Sequence, residues 1–165
     1  MAPRKAAERV QPVIHSTFVL ERSFPYPPER VFAAFAIAEK KRIWYAGGDN
    51  YDVELFELDF RPGGMERLRY RFKEGTPLPG IAITNESVLQ DIVEKRRVVW
   101  ASVMTLGDRR ISATLVTIEL LPSAEGTEMF CTHQGAFFEG SDGPEMREMG
   151  WRTLFDKLAK ALETE

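Results

Sequence analysis

From Met65 to Phe72 the chain alternates without interruption. In an extended strand Met65, Arg67, Arg69 and Arg71 fall on one face and Glu66, Leu68, Tyr70 and Phe72 on the other. The first face is wet; the second is apolar and aromatic except for one carboxylate. Residues 13–24 show the same period, with Ile14, Phe18, Leu20 and Phe24 on one side. Further β-rich stretches occupy 53–60, 83–93, 98–105, 111–121 and 128–134. They are separated by the turn signals "RPGG", "EGTPLPG", "EKR", "LGDRR" and "PSAEGT". Six strands from 53 to 134 joined by short turns predict a meander.

The period changes twice. After "PYPP", Pro28 suits a first helical turn and Val31, Phe32, Phe35 and Ala36 form one stripe. A charged stretch and a second short helical run through Trp44 follow, stopped by Gly47 and Gly48. Over 144–163, Trp151, Leu154, Phe155, Leu158, Ala161 and Leu162 form a broad apolar stripe that must be buried. Asp142 is placed to cap this helix, with Pro144 early in it and Glu145 three residues on, as in a capping box. The order predicts an α+β fold: a curved antiparallel sheet wrapped around a long C-terminal helix, with two short helices after strand 1.

A chain of 165 residues with 44% apolar content suits one domain. It is expected over 13–165, with 1–12 a flexible N-terminal segment. Lys and Arg number 22 against 25 Asp and Glu, a net charge of −3, which disfavours nucleic acid or an anionic membrane as partner. Cys131 is the single cysteine, and with only His15 and His133 it makes no zinc pattern, so neither metal nor cofactor is expected. The first residues lack a secretory apolar stretch, and no window approaches the roughly 20 apolar residues of a membrane span. The expectation is a soluble cytoplasmic protein.

Seven segments carry a likeness: "ERSFPYPPERVFAAF", "KRIWYAGG" with Trp44, "LDFRPGG", "DIVEKRRVVWASVM", "SATLVTIELLP", and "GTEMFCTHQGAFFEG" leading to "REMGWRTLFDKLAKAL". Together they resemble the SRPBCC, or START-like, superfamily with its helix-grip fold, in the branch of activator of Hsp90 ATPase homology domains. The chain departs from the related single-domain bacterial proteins at His133, Gln134 and Gly135, where Glu-Gln-Gly is usual. The resemblance implies a deep cavity between the long helix and the sheet, in which various relatives bind lipids, hormones or polyketide-like aromatics. It also implies two other uses: a co-chaperone-like module touching an Hsp90-type ATPase, or a polyketide cyclase-like enzyme. Fold alone does not choose among them.

The candidate cavity residues are Trp44, Glu66, Leu68, Tyr70, Trp100, Met104, Thr114, His133, Met146, Met149 and Gly150. Glu66 is either a solvated strand-end carboxylate, reaching water or an arginine, or a polar anchor for a ligand hydroxyl. His133, which alternation groups with Met129 and Cys131, is either a hydrogen-bonded structural residue or an acid, base or donor. If both line the cavity they form its polar end. The large apolar residues are core or cavity wall, with Met suited to irregular guests. Gly150 leaves room beside the helix's stripe, which fits a hollow N-terminal half and a solid C-terminal half. "RPGG" reads as a tight turn rather than a phosphate cradle, because no lysine or helix start follows. Arg67, Arg69 and Arg71 are a solvated face or a docking patch for an acidic partner. No nucleophile–base–orienter set is legible, so the expectation leans away from an enzyme. It is a protein that binds a small lipophilic ligand.

Overall fold

The structure, a computed structural model, describes residues 12–164. Nearly all of the expected flexible segment 1–12 therefore lies outside the described residues. The elements are β1 (Ile14–Phe24), α1 (Pro28–Ala36), α2 (Ala38–Tyr45), β2 (Tyr51–Leu58), β3 (Met65–Phe72), β4 (Ala82–Val93), β5 (Arg97–Leu106), β6 (Arg109–Ser123), β7 (Gly126–Phe137) and α3 (Pro144–Glu163). Strands β2 to β7 form the expected six-stranded meander, and β1 adds to its far edge in the order β1-β7-β6-β5-β4-β3-β2, antiparallel throughout. Register shifts at Val53/Leu55, Leu89/Asp91 and Met104/Thr105 bend three of the strand pairs, and such bulges raise local twist and curvature. This is the α+β helix-grip architecture that the patterning predicts.

α3 lies across the concave face. Its C-terminal half is solidly packed: Phe155, Leu158 and Leu162 are fully buried in one core with Leu20, Ile118, Leu120 and Met129. Each such side chain contributes about 1.5–3 kcal/mol through removal from water, so Leu158→Ala is the single change that would most directly loosen the helix from the sheet. α1 adds Val31 and Phe35 to the core, and Trp44 of α2 donates its indole N–H to the Ala34 carbonyl at 2.9 Å. Trp44 thus ties the two short helices together.

Two local expectations need correction. The capping box does not form, because the N-cap of α3 is Gly143, at φ +84°, and no side chain caps it. Asp142 instead holds Arg147, accepting its Nε–H and Nη2–H, both at 2.8 Å. The "RPGG" turn is tight, as expected, and its amides are used internally. Gly63 N–H donates to the Leu89 carbonyl at 2.7 Å and Gly64 N–H to the Arg61 carbonyl at 2.8 Å. A Cβ on Gly64 would sit 2.0 Å from the Asp59 carbonyl oxygen, so the turn closes only around glycine. Those two amides are not available to cradle an anion.

Candidate functional site

The concave face is ordered in rows set by strand register. Across the middle runs a polar row in which Glu66, Ser87, Ser102, Thr114 and Gly135 are successive cross-strand neighbours. On its core side lies the row Leu89, Trp100, Val116, His133 and Phe18. On the other side lies Leu68, Asn85, Met104, Ser112 and Phe137. The period of two that makes each strand half-polar thus places a hydrophilic band inside the fold.

Beneath its N-terminal half α3 leaves space above the sheet. A cavity of about 630 Å³ remains, lined by the sheet, the end of α2, the loop after β7 and the N-terminal half of α3. That volume lies within the range of small-molecule sites. Of the candidates, Leu68, Tyr70, Trp100, Met104, Thr114, His133, Met146 and Gly150 line it. Trp44, Glu66 and Met149 do not. Trp44 is core, as described. Met149 is 66% exposed, because it stands two residues from both Arg147 and Trp151 and so about 200° around the helix from each. Its neighbour Met146, 65% exposed, sits at the mouth. A Cβ on Gly150 would meet nothing within 4 Å, so the opening beside it is real space.

Glu66 is not a solvated strand end, and its carboxylate already has a partner inside the fold. It is 3% exposed and paired with Lys41, itself 3% exposed, at 2.5 Å. The Lys41 ammonium also lies 4.6 Å from the Tyr45 ring centre and 4.7 Å from that of Trp100, whose faces attract a cation. The ion pair sits behind two rings that line the cavity. Glu66 and His133 do not form one polar end: β3 and β7 are four strand spacings apart, on the order of 19 Å along the sheet.

Two buried cations that the alternation of the strands does not indicate join the site. Lys41 shares a helix face with Trp44 and Tyr45 at the i, i+3 and i+4 spacing, and Arg147 precedes Gly150, Trp151 and Leu154 in the same way. The signal was a cation in line with an apolar stripe. Arg147 is buried; besides Asp142 it donates to Ser112 Oγ at 3.0 Å, and its guanidinium stands 5.1 Å from the Phe137 ring centre. It fastens the loop after β7 to the sheet beside the cavity. Burial acts to raise the Asp142 carboxyl, but hydrogen bonds from Arg147 and its charge outweigh that and hold it below its usual range.

Most polar groups around the cavity have partners. Asn85 donates to the Tyr45 hydroxyl at 2.9 Å, Ser102 donates to Asn85 Oδ1, and Ser87 donates to Ser102 at 3.0 Å. Burial, and then the Glu66 charge, push the Tyr45 hydroxyl well above its usual range, and burial pushes that of Tyr70 up to about 12. Both phenols stay neutral. His133 differs. Its ring is 1% exposed, stacks on Phe18 at 4.5 Å and 7°, and has no hydrogen-bond partner for Nδ1. Burial, with the Arg147 charge added, pushes the imidazole down to about 4, so it is neutral at physiological pH. Gly135 makes this placement feasible: a Cβ there would come within 2.7 Å of the Phe137 ring and 3.2 Å of the His133 ring.

On the convex face the arginines of β3 are interleaved with acids. Arg69 and Arg71 both bond Glu54, at 2.9 and 2.5 Å, and Arg67 lies between Glu57 and Glu86 in register. No bare basic stripe results.

A bent antiparallel sheet gripping a terminal helix, with a void between them, defines a helix-grip protein. The chain belongs to the family described as Activator of Hsp90 ATPase homolog 1-like protein, whose model matches residues 25–163. Among solved structures it is similar to an uncharacterised protein from Rhizobium leguminosarum, at 34% identity over 93% of this chain and 98% of that one, with a TM-score of 0.86. It is also similar to protein Mll3558 from Rhizobium loti, at 42% identity over 92% and 99%, TM-score 0.79. A protein of the same family from Aeromonas hydrophila shares the fold at 16% identity over 90% and 93%, TM-score 0.66. No curated protein matches.

Proposed function

We propose that this protein binds a small lipophilic molecule, aromatic, lipid-like or polyketide-like, in the cavity between α3 and the sheet. The observation that carries this reading is the unfilled space of about 630 Å³ under the N-terminal half of a helix whose C-terminal half is tightly packed. Aromatic and aliphatic walls supply affinity in such a site, and a few polar groups supply orientation. The test is native mass spectrometry of the purified protein for a retained small molecule, followed by calorimetric titration of anilinonaphthalene sulfonate. Gly150→Leu, at the mouth, and Thr114→Trp, on the floor, are expected to abolish binding while leaving the fold intact. Unchanged affinity in both would place the site elsewhere.

The remaining expectations have less support. A co-chaperone role rests on the family likeness, and the neutralised convex face of β3 offers an acidic partner little. Co-precipitation and an ATPase assay with an Hsp90-type chaperone separate that role from ligand binding. A cyclase-like reaction through a Glu66–His133 pair is not supported, since Glu66 is engaged by Lys41 on the far side of the sheet. Among the described residues no helix is long and apolar enough to cross a membrane. A cytoplasmic location is proposed on the buried, free Cys131, whose thiol burial pushes up to about 12.

A further inference from the structure

We propose that His133 is the specificity-determining contact of the cavity, and that it selects a flat aromatic guest carrying a hydroxyl over an acyl chain or a bare hydrocarbon. The inference rests on the cavity reading above and names the ligand class for that site.

Among the described residues, His133 Nδ1 is the one buried side-chain nitrogen or oxygen without a hydrogen-bond partner. Native folds rarely leave such an atom unpaired, because its lost hydration is not compensated. The ring belongs to the cavity wall, where, apart from the Thr114 and Tyr70 hydroxyls, most neighbouring polar groups are already engaged. Asn85, Ser102 and Tyr45 bond one another, Arg147 holds Asp142 and Ser112, and Lys157 donates to the Gly47 carbonyl. Nδ1 itself is sealed from the void, but Nε2, equally without a protein partner, keeps its surface on the cavity side of the ring, and an unpaired nitrogen there is a position for a ligand atom.

The ring's chemistry narrows what that atom is. A neutral imidazole presents one N–H donor and one acceptor nitrogen. A hydroxyl both donates and accepts, so it meets either face of that inventory. A carboxylate accepts only, and a hydrocarbon chain does neither. The surroundings set the rest of the shape. His133 is clamped flat on Phe18, lies near-parallel to Phe137 at 6.2 Å and 22°, and is met edge-on by Trp151 at 6.3 Å. Trp151 in turn faces Trp100 at 6.2 Å. Ring systems dominate this end, and an aromatic guest packs against them in offset or edge-on geometry that a flexible chain does not exploit.

Naphthol, naphthalene and laurate serve as probes, titrated by calorimetry into the intact protein and into His133→Phe. The variant keeps the ring stack and removes both nitrogens. Naphthol is expected to bind the parent more tightly than naphthalene and to lose roughly 3- to 10-fold in affinity on the substitution, the worth of one neutral hydrogen bond, while naphthalene holds or improves. Equal losses for both aromatics, or no loss for naphthol, would overturn the assignment to His133 and leave the cavity reading standing. Laurate binding with neither aromatic bound would overturn the ligand class alone. None of the three binding would count against the cavity reading itself. Should His133→Phe fail to fold, the imidazole resonances of the parent decide. His133 is expected to shift with naphthol and not with naphthalene, with exposed His15 as internal reference; identical shifts with both probes overturn the proposal.

Discussion

Burial of Lys41 with Glu66 carries a sharp stability prediction. Removing one member of a buried ion pair strands the other, so Lys41→Met is expected to cost about 3–5 kcal/mol in urea denaturation. Lys41→Met combined with Glu66→Leu removes both charges and is expected to recover most of that loss; if the double variant is as weak as the single one, Lys41 acts through its packing on Trp100 and Tyr45. His133 yields a prediction in pH. Its folded value near 4 lies below the ordinary 6.5, so between those values the unfolded chain binds more protons. Its contribution is complete above about pH 6.5 and drains away as pH falls toward about 4, by about 1.4 kcal/mol per unit. Asp142, held low by Arg147, adds a loss of the same sign at the acidic end. His133→Phe should flatten the parent's pH dependence between those two values, and an unchanged slope would show that the imidazole is hydrated in solution. At this scale the sequence was least informative. Alternation places Glu66 and His133 on the concave face, but it says nothing about a partner that arrives from a helix 25 residues earlier. Lys41 and Arg147 are hard to read from sequence for the same reason, since a charge in line with an apolar stripe looks like a break in it.

Elements were far more legible than residues, because each is specified locally. The period of two, the turn signals and the stripe over 144–163 place every strand and the long helix with bounds shifted by no more than three residues. Where local logic failed, a tertiary partner had taken over: Asp142 has a capping sequence, yet its carboxylate goes to Arg147, whose fork offers two hydrogen bonds rather than one. Gly150, at the cavity mouth, also tests helix propensity, because a single methyl adds to the helix without closing the opening. It lies in the interior of α3, is exposed, and has open space where a Cβ would go. Gly150→Ala is therefore expected to stabilise the protein by up to about 1 kcal/mol through helix propensity alone, read as a higher urea midpoint with unchanged slope. A loss instead would mean that the glycine serves a motion of the helix's first half.

For the molecule as a whole, the void exists because sheet curvature and helix length are mismatched. Three strand pairs carry register shifts that bend the sheet, and the helix faces the cavity with Met146, Gly150 and Thr153, while Phe155, Leu158 and Leu162 seat it firmly further on. Curvature of this kind is a property of the assembled sheet, so strand patterning predicts a layer around a helix without fixing how much space is left. The walls of this space lack side-chain contacts across it, which a guest or a larger side chain would supply. Thr114→Trp separates the two. Its indole enters the void from the floor, so the unliganded variant is expected to melt at or above the parent's temperature. The parent, but not the variant, should then respond to ligand. At about a hundredfold excess over the dissociation constant, anilinonaphthalene sulfonate is expected to add about 2.7 kcal/mol, or about 5–10 °C in melting temperature, to the parent alone. Equal ligand shifts in both proteins would mean that the compound binds the surface, and that the space beneath α3 is not where this protein holds its guest.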